Sequence, residues 1–381
     1  MKDSMNVVQI PHVYRPSLGG VENYVYRLNR SLETRGHETT TITTDVSLAN
    51  TNSPLDPQAD VAYCETDFTV FRNPFSIDLH RRVARSTADL YHLHNLEFFS
   101  TVEAVHALPA DAPSVLTVHG FRPSPDSFLQ RALTGLYHPV AAYVLNRVDR
   151  TVVLGATEKE ALVDAFDVDP STVDVVPNGI HPAEFEVSHD RVTAFNRRYG
   201  LDPETPTILF VGRMVPLKRP HLLVDALFEY LPDRDLDAVV VGTGSGEYER
   251  AVRERADDRV HFLANLPFDE LKAAYHASDL FTQLSGAEGL PTVVLEAMHA
   301  ELPVVATSVG ALPNVLNHHE NGWLLDAAPA VGDVAEAIRF YLDHPDERRR
   351  VGARNRELVY DRYDWSHVAD GIVSTYERAL D

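Results

Sequence analysis

The stretch Leu280–Met298, LFTQLSGAEGLPTVVLEAM, reads as one strand, one loop and the start of one helix. Leu280–Leu284 reads as a strand. Ser285–Gly289 holds two glycines, and Pro291, with its φ preset near the helical value, opens the apolar run that follows as its first helical residue. Glu288 then lies on the loop. Glu296 lies more than one turn into the helix, its side chain leaning back toward the N-terminus, where the N–H groups of Gly289 and Leu290 also point. A helix start alone accounts for an acid near its first turn. The sharper reading is a site of two carboxylates beside an anion-binding helix end, because a carboxylate accepts hydrogen bonds from two vicinal hydroxyls of a sugar-like ligand.

This strand–loop–helix unit repeats along the chain. The first half reads as strand Asn6–Ile10, helix Val21–Thr34, strand Thr39–Thr43, an extended stretch Val61–Phe71, helix Ile77–Ser86 and strand Leu90–His94. Helix Phe99–Ala107, strand Ser114–His119, helix Phe128–Val148, strand Thr151–Leu154, helix Glu158–Phe166 and strand Val173–Val176 follow. Pro177–Asp190, with two prolines and a run of turn residues, is the linker candidate. Beyond it, strands Thr207–Val211, Ala238–Val241, Val260–Leu263, Leu280–Leu284 and Val304–Thr307 are each followed by a helical segment, and helices Asp346–Tyr360 and His367–Leu380 end the chain. Apolar strands alternating with amphipathic helices imply parallel sheets covered on both faces. The expectation is an α/β protein of two doubly wound, Rossmann-like domains facing each other across a cleft: 1–180, and 181–381 with C-terminal helices that can pack back on the first domain. Ligands of such sheets sit beyond the carboxyl ends of the strands.

The length of 381 residues suits two ordinary domains. The single cysteine, Cys64, excludes an internal disulfide and fits a reducing compartment. No run approaches the ~18 apolar residues of a membrane span, and the N-terminus lacks a signal-peptide core, so a soluble cytoplasmic protein is expected. The net charge of −22 makes nucleic acid an improbable partner, since phosphate binding needs a basic footprint. Ordinary acidic solubility is one account of this charge; adaptation to a high-salt cytoplasm is the preferred one. Residues 1–150 carry 13 basic and 16 acidic groups, so the first half is the friendlier surface for an anionic partner. There, Arg81, Arg82 and Arg85 sit beside Phe75, Ile77 and Leu79, a pattern that fits either a solvated helix or peripheral contact with a membrane.

Four further motifs carry chemistry. Pro16–Glu22, PSLGGVE, joins the first strand to the first helix, where Gly19 and Gly20 let backbone N–H groups approach an anion. Gly212–Lys218, GRMVPLK, places Arg213 and Lys218 at a strand end, suited to clamping a diphosphate; Lys218 is one of only four lysines among 34 basic residues. Val241–Glu247, VGTGSGE, fails the dinucleotide frame because Glu247 stands where the last glycine belongs, leaving a tight loop at Gly242 and Gly244 near a nucleotide, or a plain turn. His119 ends an apolar strand, where it would face the cleft. His92 and His94 in YHLHN also end a strand; with no carboxylate or cysteine cluster nearby they read as a polar strand end lining the cleft, and no metal is expected.

Together these residues resemble the retaining glycosyltransferases of family four, with the GT-B fold. PSLGGVENYVYRLNRSLETRGHETTTIT is similar to that family's opening segment, Pro177-Asn178-Gly179-Ile180 to its inter-domain signature, GRMVPLKRP to its phosphate-clamping segment, and EGLPTVVLEAM to its motif of two glutamates eight apart. The resemblance implies a donor site of Gly19, Gly20, Asn178, Gly242, Gly244, Leu266, Gly289, Leu290, Pro291 and Glu296, with Glu296 on the ribose hydroxyls and the base near Phe262–Leu266. It implies catalytic roles for His119 and Glu288 at the donor sugar and for Arg213 and Lys218 at the leaving diphosphate. Arg219 departs from the pattern where a glycine often follows the lysine; Ala311 and Asn314 depart where a glycine and a glutamate are usual.

The implied reaction moves a hexosyl-type group from a UDP- or GDP-linked sugar to a saccharide or lipid-linked acceptor, with retention and without metal or other cofactor, as in surface polysaccharide, glycolipid or glycoprotein glycan assembly. A nucleotide-sugar 2-epimerase of the same fold would need acid/base carboxylates in the cleft. A non-catalytic nucleotide-sugar-binding subunit would not need Glu288, Glu296, Arg213 and Lys218 together.

Overall fold

The computed structural model describes residues 4–17, 19–48, 60–70, 73–121, 128–244, 246–264 and 266–381. Leu18, Phe71, Ser245 and Asn265, which fall in the stretches singled out above, lie outside them. Two compact units account for the chain: residues 1–178 with 365–381, and residues 179–364.

The first unit is built on a seven-stranded parallel sheet. Its strands are β1 (Asn6–Ile10), β2 (Glu38–Thr44), β3 (Val61–Cys64), β6 (Leu90–His94), β7 (Ser114–Thr117), β8 (Arg150–Val153) and β9 (Val173–Val175), in the order β3-β2-β1-β6-β7-β8-β9. Between β3 and β6 the chain forms an antiparallel pair, β4 (Phe68–Val70) and β5 (Asn73–Phe75), so the stretch expected to be continuous from Val61 divides. The second unit carries β10 (Thr207–Val211), β11 (Asp237–Val241), β12 (Val260–Leu263), β13 (Leu280–Gln283), β14 (Val304–Thr307) and β15 (Trp323–Leu325), all parallel, in the order β12-β11-β10-β13-β14-β15. In each sheet the order reverses once, beside β1 and β6 in the first and beside β10 and β13 in the second. Successive crossovers leave to opposite sides there, so the loops splay apart and open a crevice at the carboxyl ends of those strands.

Local composition explains most elements. Strands β10, β11 and β14 are near-continuous apolar runs because helices cover both faces of the sheet. Helix Gly20–Thr34 buries Tyr24, Val25, Leu28 and Leu32, spaced at three and four residues, and ends ahead of Gly36, whose φ of +86° favours glycine. The linker reading of 177–190 is shortened. A 3-10 turn covers Pro182–Phe185, and helix His189–Tyr199 already begins inside it.

The domain boundary expected at 180/181 falls at Asn178/Gly179, and the terminal helix Trp365–Leu380 is part of the first unit. Trp365, Val368, Ile372 and Tyr376 on one face of that helix are at most 1% exposed and pack with Tyr24, Leu28, Leu90 and Val152. Arg35 pairs with Asp370 at 2.7 Å, and Arg378 with Asp174 at 3.1 Å. A stripe at helical spacing shows that a helix packs, not which sheet receives it.

Candidate functional site

In the second unit four loops converge beyond the carboxyl ends of β10, β11, β13 and β14, and hydrogen bonds tie each to the next. The loop after β10 is joined to that after β11 by Gly212 N–H to Val241 C=O at 3.0 Å and Met214 N–H to Thr243 C=O at 2.9 Å. Gly242, at φ +147°, is required there, since a Cβ would collide with the Gly212 carbonyl; one on Gly244 would strike that of Met214. The close approach at these two glycines is therefore to the protein's own backbone, the segment that carries Arg213.

The loops after β10 and β13 meet through Gly286 N–H and Leu217 C=O at 2.8 Å. Their side chains then complete the join. Lys218 Nζ pairs with Glu288 Oε1, and the two side chains are only 18% and 10% exposed. Gln283 Nε2 donates to the same carboxylate at 2.7 Å and to Ser285 Oγ at 2.9 Å, while Thr307 Oγ1 holds the Ser285 carbonyl at 2.6 Å. Gly310, at φ +56°, brings the loop after β14 against Glu288 and Gly289, with Ala311 N–H donating to Gly289 C=O at 3.1 Å. Two candidates 70 positions apart in sequence thus form one cation–carboxylate pair at the switch point of the sheet.

The two glutamates of the motif have different partners. Glu296 accepts from the Tyr275 hydroxyl at 2.8 Å, and burial, with Glu296 second, drives the Tyr275 phenol well above its ordinary pKa. Pro291 is the N-cap, and the helix runs Thr292–His299, one residue later than expected: the proline's ψ of 126° is extended, not helical. Arg213 is exposed and makes no ion pair among the described residues; Leu266 is half-buried after β12. Arg219, where glycine is usual, has φ +50° as N-cap of helix Pro220–Tyr230, which is the physical reason for that preference. Its guanidinium instead reaches the Ala327 carbonyl at 2.6 Å.

In the first unit Gly19 is the N-cap of helix Gly20–Thr34, and the Glu22 carboxylate lies over it, where a Cβ would stand. A Cβ on Gly20 would meet nothing, so no contact within the chain demands glycine there. His119, two residues past β7, lies edge-on to Tyr24 with ring centroids 4.7 Å apart, and its Nε2 is 3.1 Å from His94 Nδ1. Desolvation, with a smaller contribution from His12, lowers its pKa to about 3, so it is neutral. The loop that follows is pinned by Glu158, whose carboxylate accepts from Phe121 N–H at 3.3 Å and Leu154 N–H at 3.0 Å.

The reading of His92 and His94 is corrected. Both are fully buried rather than lining an open surface: His92 bonds Tyr376 and Thr117, and His94 bonds Gln9 and His119. Tyr376 on the terminal helix covers this end of the sheet.

Residues 18–184 match the model for Glycosyltransferase Family 4, and residues 192–358 that for Glycosyl transferases group 1, so that together the two span most of the chain. The chain belongs to glycosyltransferase family four. Among its relatives, the D-inositol 3-phosphate glycosyltransferase of Corynebacterium kroppenstedtii is 31% identical over 291 residues, 73% of this chain and 62% of that protein. The enzyme of the same name from Nocardia farcinica is 33% identical over 248 residues, 62% and 54% of the respective chains. The matches thus cover little more than half to three fifths of these relatives' length. Among solved structures, HepE of Anabaena in complex with UDP-glucose has a TM-score of 0.79 at 19% identity, covering 98% of this chain and 99% of that one. WaaG, a glycosyltransferase involved in lipopolysaccharide biosynthesis, has a TM-score of 0.75 at 17% identity, covering 96% and 98%. At such identities the likeness is one of fold, and that fold is GT-B.

Within this family four chain, Lys218, Glu288, Gly289, Leu290 and Pro291 fall in one loop cluster with Gly242 and Gly244. Gly19, Gly20 and His119 belong to the first unit, and Asn178 is the last residue of the first of its two segments. Sequence reasoning missed Gln283, Ser285 and Tyr275. Gln283 left a signal, an amide at the end of a fully buried strand, where a side chain that reaches its partner is the only economical choice.

Proposed function

We propose that the chain is a retaining glycosyltransferase that moves a hexosyl-type group from a UDP- or GDP-linked sugar to a saccharide or lipid-linked acceptor. The observation that carries this reading is the pairing of Lys218 with Glu288 at the switch point of the second sheet. A lysine held there against a carboxylate is a cation kept in place for a dianionic group that competes for it, in a chain whose net charge of −22 otherwise repels anions. As the glycosidic bond breaks, charge develops on the diphosphate, and Lys218 with the exposed Arg213 neutralises it without a metal ion. Glu288, released by Lys218 but still bonded to Gln283, takes the sugar hydroxyls, and Glu296 the ribose. A donor phosphate oxygen accepts the acceptor's proton on the face the diphosphate leaves, which retains the anomeric configuration. UDP-glucose, bound by HepE, is the first donor to test, and D-inositol 3-phosphate, named for the relatives, the first acceptor.

Thermal-shift screening with UDP, GDP, ADP and their sugars, in high and low salt, identifies the donor. Turnover then falls roughly tenfold or more in Lys218→Ala and in Arg213→Ala and survives EDTA. Near-normal turnover in either variant, or loss of activity to the chelator, rules out this assignment of charge neutralisation.

Among the described residues no helix is long and apolar enough to cross a membrane. For a lipid-linked acceptor we place the contact at helix Ile77–Arg85: Leu79 and Val83 anchor it in the core, while Ile77, Arg81, Arg82 and Arg85 are exposed, Arg82 pairing with Asp78 at 2.9 Å. Replacing the three arginines weakens binding to anionic vesicles; unchanged binding removes the idea.

A further inference from the structure

The row of polar side chains buried in the first sheet forms a chain of hydrogen bonds that ends at His119. Gln9 and His92 are register partners, as are His94 and Thr117, so all four side chains lie on one face of the sheet, and all are fully buried. Burial also keeps the rings neutral: the pKa values of His92 and His119 fall to about 3, and that of His94 well below its ordinary value. A neutral imidazole has one N–H and one bare nitrogen, so each bond in such a row dictates the next.

One arm runs from Gln9 to His119. The Gln9 Oε1 atom can only accept, so His94 Nε2, 2.8 Å away, carries a proton. His94 Nδ1 is then bare and accepts from His119 Nε2 at 3.1 Å. The other arm has the same sense. Gln9 Nε2 donates to the Tyr376 hydroxyl at 3.3 Å, the Tyr376 proton goes to His92 Nδ1 at 2.6 Å, and His92 Nε2 donates to Thr117 Oγ1 at 2.7 Å.

We infer that Gln9 is a positioning residue: through His94 it fixes His119 as the Nε2–H tautomer and leaves His119 Nδ1 as a hydrogen-bond acceptor for a ligand. Turning the Gln9 amide over would reverse every bond in both arms, so the three histidines share one tautomer and the amide chooses it. The terminal helix enters the same device, because the Tyr376 hydroxyl bonds the Gln9 amide and passes its sense on to His92. A bare Nδ1 accepts from a hydroxyl and presents only a lone pair to an anion. Resting on the proposed transferase function and on the donor-sugar contact that the family resemblance implies for His119, this selects a donor with a hydroxyl at that position over one bearing a carboxylate.

Nitrogen-15 NMR of the histidine-labelled full chain, without ligand at neutral pH, reads the tautomers directly. The expected result is Nε2–H at His92, His94 and His119 alike; Nδ1–H at His119, or histidines that differ from one another, overturns the inference. In Gln9→Leu, His119 and His92 both pass to mixtures of tautomers, because the Tyr376 and Thr117 hydroxyls beside His92 can each donate or accept. An unchanged His119 in that variant also overturns it, and the wild-type spectrum decides alone if the variant does not fold. For the ligand step, a nucleotide hexose carrying a primary hydroxyl binds roughly tenfold or more tightly than the matching uronate; equal affinity refutes the acceptor role of Nδ1. Should neither nucleotide bind, it is the proposed function that fails, and the tautomers still decide the role of Gln9.

Discussion

Removing the cation from the Lys218–Glu288 pair tests whether the two loops of the second unit depend on it. In Lys218→Met the hydrocarbon length is nearly kept, but the Glu288 carboxylate loses its counter-charge and retains only the Gln283 amide at 2.7 Å. Breaking a fully buried pair from one side costs about 3–5 kcal/mol. Here the side chains are 18% and 10% exposed, so water reaches the orphaned carboxylate in part, and the expected loss is about 1–3 kcal/mol. For a body of this size that lowers the melting temperature by roughly 3–10 °C.

The informative control is the double variant Lys218→Met/Glu288→Gln, in which a neutral amide still accepts from Gln283. It recovers most of the loss, giving a coupling energy of about 1–2 kcal/mol in a double-mutant cycle measured by urea unfolding. Stability of Lys218→Met within about 0.5 kcal/mol of wild type, or single effects that simply add, would refute the reasoning. Glu288→Gln alone separates the roles further. With its carboxylate partner gone, Lys218 gives its full charge to a diphosphate, so this variant binds free nucleoside diphosphate more tightly while turning over more slowly, as calorimetry and a coupled assay can show together.

Three other perturbations have signs that follow from geometry. Gly310→Ala forces an L-residue to φ +56° and sets its Cβ against the Glu288 carbonyl, so it costs about 2–4 kcal/mol in urea unfolding and displaces the Glu288 loop. Burial lifts the Glu158 carboxyl from 4.5 to about 7 despite its two backbone donors. The unfolded chain therefore loses this proton first as pH rises, and the stability present below about pH 4.5 is lost as pH climbs toward 7, by at most about 3 kcal/mol. Denaturant titrations between pH 5 and 8 should show a shallower decline in Glu158→Gln; equal slopes would count against a buried, protonated Glu158. Finally, the charge of −22 predicts a melting temperature that rises as KCl is added from dilute buffer to molar concentrations, and a flat or falling curve would dismiss the high-salt reading.

How far the site was legible from sequence depended on the distance over which its parts are specified. Strands β1, β6, β10, β12 and β14 were bounded as the structure has them, because an apolar run and its flanking turn residues are local information. The three-residue β15, Trp323–Leu325, escaped. Lys218 and Glu288 could each be nominated from the loop that carries it, but their pairing depends on β10 and β13 being neighbours, which only the order of the whole sheet decides. The histidines of YHLHN show the opposite failure. Period-two alternation puts His92 and His94 on one face of β6, and a polar strand end naturally reads as lining a cleft. What buries that face is Tyr376, which bonds His92 across 284 positions of sequence on a helix whose own stripe does not say which sheet it covers. Once that helix is in place, no water reaches the row, and each buried nitrogen must find its partner within the protein. The constraint that seals the fold at this point is therefore the same one that leaves His119 a single nitrogen to offer.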